Sequence, residues 1–144
     1  MNFLVLLLLL QPAHSRLEER VQDADLVMVG EVVKTYPLHR HMESAPGDHP
    51  IRVAIVRQSE ILKKNDGVLV TARGVMVLYT NFQDGAPLEN PKLHVGQRAL
   101  FALNLETIEI GGGHEDRRLL VFHNSDLFDE DQLLQAEKLL KRRK

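Results

Sequence analysis

The sequence predicts an all-β protein, a small antiparallel β-barrel with one helix before it and one helix after it. About six short segments rich in Val, Ile and Leu are separated by turn residues, which is typical of strands. Two long segments that contain Pro and Gly, 37–50 and 80–95, predict loops. Strands and helices do not alternate along the chain, which excludes a doubly wound α/β fold.

The chain begins with an apolar run that is typical of a signal peptide. Residues 3–10 are apolar, but the run is shorter than the roughly 20 residues that cross a bilayer. Ala13 and Ser15 have the spacing of the small residues that signal peptidase recognises. We therefore expect residues 1–15 to be removed and residues 16–144 to form one secreted, extracellular domain without a membrane anchor. An N-terminal strand or an anchor is the alternative interpretation.

The composition excludes several functional classes. The chain of 144 residues has room for one domain and contains no cysteine, so thiol chemistry and Cys-based zinc sites are excluded. The net charge is −2 and aromatic residues are few, which argues against nucleic-acid binding through basic grooves with stacking rings. Only the tail from Lys141 to Lys144 is strongly basic, and we expect at most weak polyanion binding there.

Local patterns place the individual elements. Leu17 and Val21 lie four residues apart in segment 16–23, which predicts a short amphipathic helix. Segment 24–33 predicts a strand in which Gly30 marks a bulge or a sharp bend. Further strands are predicted at 51–55 with 61–62, at 68–72, at 75–79, at 99–103, and as a pair of 107–110 with 119–122 across the glycine turn 111–113.

The chain is predicted to end in a helix. Asp129 and Gln132 have the spacing of a capping box, and acidic residues at the start with basic residues at the end suit the helix dipole. The apolar positions of this helix are Leu133, Ala136 and Leu140 on one face, widened by Leu134 and Leu139.

Three stretches of the chain, followed by this helix, stand in a recognisable order. They are ADLVMVGEV at 24–32, VRQSEILKK at 56–64 and GQRALFAL at 96–103. The pattern resembles the netrin-like domains, which share an oligomer-binding (OB) type barrel with the tissue inhibitors of metalloproteinases. It is most similar to the agrin-type laminin-binding domains. The resemblance covers about residues 16–143 and implies an OB-type antiparallel barrel for the whole secreted domain.

The chain departs from the netrin-like pattern in three respects. Such domains usually carry disulfides, whereas this chain has no cysteine, and Lys64 stands where the pattern has Gly. The metalloproteinase inhibitors bind the catalytic zinc through an N-terminal cysteine, and Arg16 is expected at that end here. Inhibition by that mechanism is therefore not available. Exported bacterial proteins share the pattern without cysteines, so both a bacterial and an animal origin stay open.

The resemblance implies a partner-binding site on the last helix. In the agrin-type domains the partner surface includes apolar residues of that helix, and the matching positions are Leu133 and Leu140. They are seven residues apart and therefore lie on one helical face. A laminin-type coiled coil is the partner that the resemblance implies. The alternative is that both leucines simply pack the helix onto the barrel.

The sequence contains no recognisable catalytic motif. A nucleophile elbow, a phosphate-binding loop and paired acids are all missing, so we expect neither enzymatic activity nor a cofactor. His39, His41 and His49 share one loop and make a transition-metal site conceivable. A polar surface loop is the alternative, and we assign no metal ligand.

These observations lead to three functional hypotheses. The first is a secreted protein-binding module, which predicts an exposed apolar patch on the last helix. The second is a secreted inhibitor or carrier whose loops 37–50 and 80–95 reach into a partner's cleft. The third is an enzyme with an unfamiliar site, which requires titratable residues that converge in a cleft.

Overall fold

A computed structural model of the chain describes residues 13–38, 51–80, 82–83, 86–87, 92–110, 115–123 and 126–141. The protein is mostly β, with one six-stranded sheet and two short helices. In chain order the elements are α1 (Ala13–Asp23), β1 (Leu26–Pro37), β2 (Ile51–Lys64), β3 (Val75–Thr80), β4 (Phe82–Gln83), β5 (Ala86–Pro87), β6 (Arg98–Ile110), β7 (Glu115–Val121), β8 (Leu127–Phe128), a 3-10 helix (Glu130–Gln132) and α2 (Leu133–Lys141).

The strand pairings of the main sheet return to their starting point. The order is β1-β2-β3-β7-β6-β8, and β1 also pairs with β6, so five of these strands form a closed cycle. Neighbouring strands are antiparallel except β3 and β7, which are parallel. A cycle with an odd number of strands cannot alternate in direction throughout. The expectation of a purely antiparallel sheet is therefore wrong for this one pair.

A glycine in β1 allows the sheet to bend where the sequence predicts it. The β1–β2 register shifts between Val29 and Gly30, which confirms a bulge at this point. A Cβ atom at position 30 would lie 2.8 Å from the Val56 Cγ1 atom and 2.9 Å from the Arg57 carbonyl oxygen. Only glycine permits so close an approach of β1 to β2.

The main core fills the inner face of the closed cycle. Alternate residues of each strand point to it, as in β3, where Val75, Val77 and Tyr79 are buried and Met76 is exposed. The fully buried residues of this cluster include Leu26, Met28, Val32, Ala54, Val56, Val75, Val77, Phe101 and Leu103. Phe101 and Phe122 meet edge to face within it, with ring centroids 6.4 Å apart.

A second core, here called the helix cluster, lies between the two helices and the outer faces of β1 and β6. Its buried members are Leu17, Val21, Ala24, Val27, Val29, Leu100, Ala102, Phe128, Ala136 and Leu139. Because both faces of β6 are covered at this point, segment 99–103 is buried at every position, as its continuous apolar run predicts. The predicted N-terminal helix is also confirmed, with Leu17 and Val21 fully buried.

Several expected elements differ from the structure. Segment 68–72 is not a strand, and its ladder contacts are limited to one bridge between Thr71 and Gly74. The segments 51–55 and 61–62 belong to one continuous strand, β2. The predicted hairpin exists, but Thr107 pairs with Arg118, so the register differs from the expected one. Segments 39–50 and 111–114, including the His39, His41 and His49 loop, lie outside the described residues.

The predicted capping box at Asp129 is also wrong. Asp129 precedes the 3-10 helix, where its backbone is extended, and its side chain makes no capping hydrogen bond. The α-helix begins only at Leu133, because the chain first passes through this 3-10 turn. The carbonyl oxygen of Asp129 accepts a hydrogen bond from the Gln132 N–H at 3.0 Å and so closes the turn.

Gly74 gives a direct test of the close contact between β2 and β3. Its φ of +122° is a conformation that L side chains rarely adopt, and a Cβ atom there would lie 2.6 Å from the Val56 carbonyl oxygen. We expect Gly74→Ala to lower the free energy of unfolding by about 1–3 kcal/mol in urea titrations. Gly96→Ala is the matched control, since Gly96 also has a positive φ but open space around it. Equal losses for the two variants would contradict the steric explanation.

Candidate protein-binding surface on the C-terminal helix

Helix α2 lies on the helix cluster through a narrow apolar stripe. Ala136 and Leu139 are its buried residues. Leu133 and Leu140 are half-buried and pack against the same cluster from its edge. The two predicted site residues therefore share a face, as expected, but that face is turned partly inward and only its rim is open to solvent.

Leu134 is the most exposed apolar residue of this helix. Its side chain is 69% exposed, whereas Leu139, with which the sequence analysis grouped it, is buried. At about 100° per residue, Leu134 lies roughly 160° around the helix from Ala136. That angle was available from the sequence, and it separates Leu134 from the stripe that packs inward. We therefore add Leu134 to the candidate surface.

A shallow cleft lies between α2 and β2, next to Leu140. It encloses about 320 Å³ and is lined by Glu60, Leu62, Glu137, Leu140 and Lys141. Leu62 belongs to the edge of the helix cluster, so the floor of the cleft is apolar. Two carboxyl groups and one ammonium group stand around that floor. Apolar floor and charged rim are the general features of a protein-binding surface.

The two carboxyl groups of this cleft interact directly. A hydrogen bond with Glu137, together with desolvation and the negative charge of Glu137, raises the pKa of Glu60 above its ordinary value of 4.5. Since β2 supplies Glu60 and α2 supplies Glu137, the pair joins the helix to the sheet when it shares a proton. When both groups are ionised they repel each other, which favours a basic group of a partner between them.

A second cleft brings together titratable residues that the sequence did not single out. It encloses about 330 Å³ beside β3, β6 and β7, and Lys92, Glu106 and His123 line it. The His123 Nε2 atom lies 2.6 Å from a Glu106 carboxylate oxygen, and burial lowers the pKa of Lys92. Glu106 and His123 meet because β6 and β7 form a hairpin, a long-range fact that spacing along the chain does not show.

Within the described residues, no group of three or more His, Asp or Glu side chains is arranged to hold a metal ion. The loop segments 39–50 and 88–91, and tail residues 142–144 after Lys141, lie outside those residues. None of the helices in the described ranges is long and apolar enough to cross a membrane.

Comparison with known proteins adds no family assignment. No protein-family model matches the chain, and no curated protein matches it. The clefts beside α2 and β3 are therefore the main indications of function.

The Glu60–Glu137 pair predicts a characteristic pH dependence of stability. A carboxyl group whose pKa is raised on folding stabilises the folded state at low pH, and this contribution is lost as the pH rises through the raised pKa. We expect Glu137→Gln to remove that loss. The free energy of unfolding of the variant should therefore rise relative to that of the wild type as the pH is raised above 4.5. Urea midpoints measured at a series of pH values test this.

The control for this prediction is Glu19→Gln, which removes one exposed carboxylate from α1. Its pH profile serves as the reference for removing a carboxylate that does not line the cleft. If Glu137→Gln and Glu19→Gln give the same pH profile, the carboxyl pair does not couple α2 to β2.

Proposed function

We propose that this chain is a secreted, extracellular protein-binding module built on an OB-type barrel, with α2 as its main contact element. Residues 1–15 act as the signal peptide in this proposal. The closed cycle of five strands, with its single parallel pair, supports the barrel. The two helices that cover one side of it support the resemblance to the agrin-type domains.

The observation that carries the proposal is the exposure of Leu134. Leu134 is 69% exposed and follows the half-buried Leu133 in the same helix, so the apolar surface that α2 offers to a partner extends beyond one side chain. Leu133 and Leu140 supply an apolar rim on the neighbouring face, and the cleft with Glu60 and Glu137 continues the surface toward β2. The patch is small, so it fits a modest contact with a complementary partner.

A laminin-type coiled coil is the partner class that we propose. Residues 133, 137 and 140 of α2, and likewise 134, 137 and 141, follow the spacing that lets one helix lie along another. The outer positions of coiled coils commonly carry Lys and Glu, which complement Glu137 and Lys141. Helix α2 would therefore lie against the coiled coil with Leu134 as its apolar anchor.

The test is binding to a recombinant laminin coiled-coil fragment by surface plasmon resonance. Leu134→Asp should weaken binding by at least about tenfold while changing stability by less than about 0.5 kcal/mol, because the side chain is exposed. The control Leu69→Asp makes the same change at another exposed leucine, far from α2 in the chain, and should keep binding. Full binding by Leu134→Asp would contradict the proposed surface.

The half-buried leucines should behave differently from Leu134. Because Leu133 and Leu140 pack against the helix cluster, changing both to Asp should lower the free energy of unfolding by about 2–4 kcal/mol. Urea titration measures this loss of free energy, and the melting temperature should fall with it. A double variant that binds weakly but melts like the wild type would instead make these two leucines pure contact residues.

Export makes a separate prediction about the N-terminus. Cells that express the full chain through the secretory pathway should release a product that begins at Arg16, as N-terminal sequencing would show. Cleavage there would shorten α1, which begins at Ala13, but would keep Leu17 and Val21 in the helix cluster. A product that stays in the cell with Met1 intact would overturn secretion and leave the binding surface to be tested by itself.

A further inference from the structure

A second groove lies on the strands that the helices do not cover. It encloses about 280 Å³ between the connection from β2 to β3 and strand β7. Its lining includes the apolar residues Ile55, Leu69, Met76 and Leu119 and the two arginines Arg73 and Arg118. No acidic residue is among the residues that line it.

Strand register explains why apolar side chains form a row here. Ile55 and Met76 are direct cross-strand partners in the β2–β3 ladder. Leu78 and Val121 are partners in the β3–β7 ladder, so Met76 and Leu119, each two residues earlier, are level on the same face. The row is partly open to water, since Met76 is 44% exposed and Leu69 in the adjoining connection is 78% exposed. Ile55 and Leu119 are half-buried and pack around Val53 and Leu78.

The groove also follows an incomplete seam between two strands. Within the described residues the β3–β7 ladder consists of the single pair Leu78–Val121, supported by a hydrogen bond from the Phe122 N–H to the Leu78 carbonyl oxygen at 2.8 Å. Backbone groups of a strand alternate in direction, so the backbone of Met76 faces the same seam beyond the end of this ladder. Because β7 lies beside β3 at this point, a bound chain would rest on the side chains of the row and would not pair with a strand edge.

The charge of the groove selects the kind of chain that fits. Among the described residues neither Arg73 nor Arg118 is in an ion pair. Burial acts to raise the pKa of Asp25, but hydrogen bonds and the Arg118 charge outweigh it and lower that pKa. A guanidinium group binds carboxylates through two parallel hydrogen bonds. A bound segment should therefore carry carboxylates as well as apolar side chains.

We propose that this groove binds a peptide segment that carries both acidic and aliphatic residues, as a second binding site distinct from α2. The aliphatic side chains pack on Ile55, Met76 and Leu119. The carboxylates pair with Arg73 and Arg118.

The experiment uses the full chain and a fluorescent, blocked peptide in which Glu alternates with Leu or Val, with anisotropy as the readout. Saturable binding that weakens as salt is raised is the expected result. Arg73→Gln and Leu69→Gln should each weaken binding by at least about tenfold. Both side chains are exposed, so both variants should keep the fold. Circular dichroism of each variant checks this.

Matched controls separate this site from its surroundings and from the α2 surface. Arg57→Gln removes an equally exposed arginine outside the groove and should keep binding, as should Leu134→Gln on α2. Equal binding of a peptide with Lys in place of Glu would overturn the proposal. So would equal losses in Arg57→Gln and Arg73→Gln. Binding of octanoate in calorimetry without any binding of the peptide would also overturn it, and would make the groove a site for aliphatic acids.

Discussion

Beside the apolar contacts of the helix cluster, α1 is tied to β6 and to the segment before β8 by one mostly buried cation, the guanidinium group of Arg20. Its Nη2 atom donates hydrogen bonds to the Ala102 carbonyl oxygen at 3.0 Å and to the Asn104 side chain in β6, and it lies 3.1 Å from an Asp126 carboxylate oxygen. Burial raises the pKa of Asp126, although the His123 N–H and the Arg20 charge oppose this. Neither charge is tolerable in the core without the other, so α1, β6 and the segment before β8 must assemble together.

That assembly determines where the candidate surface on α2 can lie. Asp126 fixes the chain just before β8, and the 3-10 helix and α2 follow within a few residues. Arg98 of β6 pairs with Glu130 at 3.3 Å and holds the 3-10 helix against the strand. Helix α2 follows and buries Ala136 and Leu139 in the helix cluster, and this leaves Leu134 in water. The exposure of Leu134 is thus a consequence of how the helix is anchored.

Local features of the fold could be predicted from the sequence, and non-local ones could not. The bulge at Gly30 and the buried run 99–103 follow from residue type and short periodicity, which act within a few residues. The parallel β3–β7 pair follows from the number of strands in a closed cycle, which no local pattern encodes. The exposure of Leu134 lies between these cases, since its helical angle was available but the direction of packing depends on Arg20 and Asp126. The Glu60–Glu137 contact and the groove at Arg73 both join segments far apart in the chain.

The closed cycle of strands has two outer surfaces that differ in helix cover and in charge. The outer faces of β1 and β6 receive the helices, and the rim of that side carries the Glu60–Glu137 pair. The outer faces of β2, β3 and β7 receive no helix among the described elements, and their open groove carries Arg73 and Arg118. Since unlike charges attract, the groove with two arginines favours an acidic segment, whereas the cleft beside α2, with Glu60, Glu137 and Lys141, favours a partner with charges of both signs. The two proposed sites share no lining residue, so a substitution in one tests that site without changing the other.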